Sequence, residues 1–95
     1  MSDSLDTPVE ITFEQKIHDA VAYTTKTGRN RILGLKMVNK QGHVISIAYT
    51  TIVGEGETVI RVVDMAWFFH MGWFPLATFF RYMDKYGFVE YKEQA

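Results

Sequence analysis

Met65-Ala66-Trp67-Phe68-Phe69-His70-Met71-Gly72-Trp73-Phe74-Pro75-Leu76-Ala77-Thr78-Phe79-Phe80 carries no formal charge and lies between Asp64 and Arg81. Eleven of the chain's fourteen aromatic residues fall between Trp67 and Tyr91. Each aromatic side chain, once buried, removes roughly 150–250 Å² from water. This block therefore dominates the energetics, whether it builds a core or presents a binding surface. At sixteen residues it is shorter than the ~18–20 needed to span a bilayer as a helix, and Gly72 and Pro75 interrupt it. A transmembrane span is not expected.

The punctuation divides the block in two. Asp64 can N-cap a short helix from Met65 to Met71 that Gly72 closes. Pro75 suits N1 of a second helix running to about Tyr86, with Gly87 as its stop. On that second helix Leu76, Phe79, Phe80 and Met83 form one stripe, and Arg81, Asp84 and Lys85 form a polar face. Phe88-Val89-Glu90-Tyr91 can add a short edge strand before the tail at 92–95.

Upstream, three runs have strand character. Arg31 to Asn39 places Leu33, Leu35 and Met37 on one face. His43 to Val53 alternates Ile45, Ile47, Tyr49, Thr51 and Val53 against Val44, Ser46, Ala48, Thr50 and Ile52. Thr58 to Val63 is rich in valine and isoleucine around Arg61. Lys40-Gln41-Gly42 and Gly54-Glu55-Gly56-Glu57 supply short turns, so the three strands form an antiparallel meander. The last two strands are apolar on both faces, which calls for cover on each side of the sheet. The C-terminal block is the expected source.

The chain begins with a polar stretch, 1–7, that reads as frayed. Thr7-Pro8-Val9-Glu10 and Thr12-Phe13-Glu14-Gln15 both carry helix-start chemistry, although Val9, Ile11 and Phe13 also alternate as in a short strand. From Phe13 the helical period is clear: Phe13, Ile17, Ala20, Val21 and Thr24 share a face, and Gly28 is a natural terminator. A helix is expected over about 12–26. The whole reads as one α+β domain over 1–95, with an N-terminal helix, a three-stranded antiparallel meander and two C-terminal helices packed on the sheet.

Composition narrows the function classes. With 47% hydrophobic and 22% charged residues the chain is globular. It has no cysteine, which rules out thiolate chemistry and disulfide scaffolding. No signal-peptide pattern opens it, so a cytoplasmic setting is expected. The net charge of −1 is uneven. Residues 1–19 balance to −4, 20–54 to +5 with no acid at all, and 55–95 to −2.

No catalytic template is met. Ser2 and Ser4 lie in the polar start and Ser46 in mid-strand, so no nucleophile elbow is formed. Gly54-Glu55-Gly56-Glu57 opens a strand, not a helix, and its carboxylates would repel phosphate. His18, His43 and His70 fall on different elements without ligand spacing, so no metal or other cofactor is expected. A histidine such as His70 inside an apolar block more often finds a structural hydrogen-bond partner than a catalytic role.

Two binding readings stand. The first is a small non-enzymatic module that binds a protein partner, or itself as a dimer, as a regulator, inhibitor or oligomer subunit. Its anchors would be Trp67, Phe69, Trp73, Phe74 and Tyr82, types enriched at interface hot spots. The second is nucleic-acid binding through Lys26, Arg29, Arg31, Lys36 and Lys40, with Tyr23 and Tyr49 as stacking partners. A sequence pI of about 6.3 argues against a dedicated nucleic-acid binder.

Overall fold

The computed structural model describes residues 11–65 and 70–92. Along the chain run α1 (Phe13–Thr27), β1 (Arg31–Val38), β2 (Val44–Val53), β3 (Glu57–Asp64), β4 (His70–Phe74), α2 (Leu76–Lys85) and β5 (Val89–Glu90). The strands form one antiparallel sheet in the order β4-β3-β2-β1-β5.

The α+β class holds, but two elements of the expected architecture do not. The sheet has five strands, not three, and among the described residues a single helix follows the first three strands, set between β4 and β5. Where a helix over Met65–Met71 was expected, His70 and Met71 belong to β4, and Gly72 continues that strand instead of closing a helix. Positions 66–69 of the expected helix lie outside the described residues, as do the expectations for 1–10 and 93–95. The physical reason is the outer edge of β3. A strand laid there pairs backbone groups that a helix would leave open, and aromatic residues suit a pleated surface. Asp64, offered as an N-cap, is the last residue of β3, and its carboxylate meets the His43 ring at 2.8 Å.

The helix termini follow local chemistry. Thr12 caps α1 by accepting the Gln15 N–H at 3.0 Å. The Gln15 side-chain Nε2 donates forward to the Asp19 carboxylate at 2.8 Å. Gly28, at φ 74°, ends α1 and donates to the Thr24 carbonyl. At the end of α2, Gly87 (φ 70°) donates to Asp84 and Phe88 donates to Met83. That pair of bonds is a Schellman motif, and it turns Phe88 back under the helix. The chain then meets β1, pairing Val89 with Val38 and Glu90 with Met37.

Both helices lie on one side of the sheet. Ile17 of α1 and Phe79 and Met83 of α2 pack with Met37, Ile45, Ile47, Ile60 and Val62 in a single buried cluster. His18 of α1 stacks on Phe80 of α2 with ring centroids 5.2 Å apart, so the helices also touch each other. The expectation that the C-terminal block covers a second sheet face is therefore not met by any described element.

The strict alternation read along β2 also breaks. Ile47 pairs with Val62 and Tyr49 with Arg61, so Ala48 has no partner on β3 and forms a bulge. Ile45 and Ile47 point to the helices, but beyond the bulge Thr50 does so and is fully buried. Tyr49, expected on the face of Ile45, is turned to the opposite one. On β1 the matching irregularity falls between Ile32 and Leu35, where Gly34 takes φ 65°, a value costly for any residue with a Cβ.

Candidate functional site: the open face of the sheet

The face away from the helices is defined by register. Ile32 opposes Tyr49, Tyr49 opposes Arg61, and Arg61 opposes Trp73, so one row crosses four strands. The Arg61 guanidinium carbon stands 4.8 Å from the Trp73 ring centroid. Tyr49 and Trp73 meet edge to face at 6.0 Å across it. Such a stacked cation contributes about 0.5–1 kcal/mol at an exposed site, and the aromatic pair adds about as much. The row is thus partly pre-organised.

Around it the same face is aliphatic. Val38 pairs with Val44 and Val89, and Val63 with Ser46. Exposure concentrates at the margins: Ile32 is 74% exposed, Val89 61% and Trp73 41%, whereas Val59 is buried. By register the charged residues of the described face are Lys36 and Arg61, with Glu57 at the far end. At strand spacings of ~4.8 Å and ~3.3 Å per residue, the face measures about 20 Å by 20 Å, the scale of a small transient interface.

The structure does not gather the anticipated anchors on one surface. Trp73 lies in the open-face row. Phe74, its neighbour, points to the helices, packs against the core and meets Tyr82 at 5.1 Å. Tyr82 is half-buried on α2 and meets Tyr86 at 4.6 Å. Trp67 and Phe69 lie outside the described residues.

The basic segment is scattered as well. Lys26 and Arg29 are exposed near the end of α1, and the Arg31 guanidinium sits 5.3 Å from the Tyr23 ring on the helix side. Lys36 shares the open face through its pairing with Ser46. Lys40 is in the β1–β2 turn, in a shallow groove beside Lys85 and Tyr86.

Tyr49 and Arg61 are the site residues that sequence reasoning did not place together. Their only signal was the β2–β3 register, which the bulge at Ala48 displaces by one residue.

Other chemistry on the described residues is sparse. His43 and Asp64, 2.8 Å apart and both partly buried, tie the start of β2 to the end of β3. The Phe88 and His43 rings stand nearly perpendicular, with centroids 6.5 Å apart. Among the described residues no three His, Asp or Glu side chains are grouped to hold a metal ion, and no helix is long and apolar enough to cross a membrane. Compared with known proteins, the chain matches no family model, no curated protein and no solved structure.

Proposed function

We propose that this chain is a non-enzymatic protein-interaction module that works by occupying a partner's surface with the open face of its sheet. One observation carries the reading: both described helices pack on the same side, and no described helix lies over the Tyr49–Arg61–Trp73 row and its flanking valines on the other. A face of this composition gains by being covered. Tyr, Trp and Arg are the types from which interface hot spots are built.

The occupant is a different protein or a second copy of the chain, and the oligomeric state distinguishes the two.

A second reading has one observation in its favour. An aromatic and a cation side by side on an open antiparallel sheet are also how single-stranded nucleic acid is held. Against it stand the acidic balance of the chain and the dispersal of Lys26, Arg29, Arg31 and Lys40 away from that face.

The test is affinity capture from host extract, comparing the wild type with Trp73→Ala and Arg61→Glu, alongside light scattering and a labelled-oligonucleotide titration at two salt concentrations. A protein retained by the wild type and lost with both variants supports the proposal. Oligonucleotide binding that weakens steeply with salt selects the second reading. A dimer dispersed by Arg61→Glu would identify the occupant as a second copy.

A further inference from the structure

The opposite side of the molecule carries a groove of different character. It lies where the N-terminal turn of α1, the C-terminal turn of α2 and β5 converge, with a volume of about 540 Å³. Phe13, Phe80 and Phe88 line it, with Met37 and Met83 beneath, 6% and 3% exposed. Phenyl faces attract cations, and methionine side chains adapt to irregular apolar groups.

Three carboxylates, Glu14, Asp84 and Glu90, also line this groove. All three are exposed, each on a different element. The ion pair formed among the described residues, His43–Asp64, involves none of them. Lys16 and Lys92 line the adjoining depression together with Glu90. Glu14 and Asp84 line only the main groove, so its negative field is strongest there.

We infer that this groove is a second binding site, and that its occupant is a protein segment carrying lysine or arginine beside a large apolar anchor. The anchor enters between the three phenylalanines, and the cations face Glu14 and Asp84. Charge complementarity selects this occupant over an acidic or purely apolar one. An anionic group would meet three carboxylates, and an apolar one would desolvate them without compensation. The site is separate from the Tyr49–Arg61–Trp73 row, although Val89 borders both surfaces.

The experiment uses two short amphipathic peptides with the same leucine and phenylalanine positions, one with lysine and one with glutamate at the polar positions. Each is titrated into the full chain and followed by backbone amide shifts. The lysine peptide is expected to bind at least about tenfold more tightly, shifting Phe13, Phe80 and Phe88. Glu14→Gln/Asp84→Asn should weaken it about three- to tenfold and flatten its salt dependence. Both positions are exposed, and an unchanged melting curve would establish that the variant folds. Trp73→Ala, which tests the open face, should leave this titration unchanged. Equal affinity for the two peptides, no binding of either, or shifts centred on Tyr49 and Trp73 would each overturn the inference.

Discussion

Arg61 and Trp73 stand directly opposite each other on β3 and β4, with the guanidinium carbon 4.8 Å from the indole centroid. The contact lies on the open face, with Trp73 41% exposed. Removing the indole should therefore cost little folding stability. Trp73→Ala is expected to lose about 1 kcal/mol in urea denaturation, from the stacked cation and part of the aromatic contact. If the face binds a protein, the same variant should lose most of the partner retained in affinity capture. A loss above about 3 kcal/mol would place Trp73 in the core and not at a binding surface.

Beneath α1 the Thr24 and Thr50 hydroxyls are 2.7 Å apart, and both residues are fully buried. Thr50 donates to the Ala20 carbonyl at 3.2 Å, so Thr24 is the donor to Thr50. Thr50→Val leaves the Thr24 hydroxyl buried without its acceptor and should cost about 1–3 kcal/mol. Thr24→Val keeps the Thr50–Ala20 bond and should cost less. The double substitution should cost less than the two singles together, because no orphaned group remains. A double-mutant cycle in urea measures that coupling.

Phe79 is fully buried in the cluster that α2 shares with Ile17, Ile45, Ile60 and Val62. Phe79→Ala should cost about 3–5 kcal/mol. That is a large part of the ~5–15 kcal/mol by which a domain of this kind is stable. The expected result is a transition shifted to much lower urea, or a chain unfolded without denaturant. Phe80, half-buried and stacked on His18, should tolerate alanine better.

Gly28 closes α1 at φ 74°, and a Cβ there would meet no atom within 4 Å. The penalty of Gly28→Ala is therefore conformational alone, about 1–2 kcal/mol. Gly28→Asn should cost less, since asparagine tolerates the left-handed region. Equal thermal shifts for the two variants would show that the end of α1 had simply moved.

Much of the fold was legible because its signals are local. Thr12 and Gly28 bracket α1, Gly87 ends α2, and β-branched runs mark β1 to β3. Each depends on contacts only a few residues apart. The stretch from His70 to Gly72, expected as the end of a helix, is strand instead, because apolar and aromatic residues suit a helix or a strand equally well when apolar on all sides. The open edge of β3 decides between them, and that edge exists only once the sheet has formed. Tyr49 was misassigned for a related reason: the bulge at Ala48 inverts the alternation, and no residue near it announces a bulge.

By itself the sequence determined both ends of α1, the end of α2, the first three strands and the α+β class, because backbone capping and side-chain periodicity act over a single turn or strand. Only the tertiary structure decided that Trp73 and Phe74 face opposite sides, that both helices share one face, and that Arg61 lies between Tyr49 and Trp73. Those relations depend on strand register and on which edge each new element pairs with. Both are set by long-range backbone pairing that the local pattern does not encode.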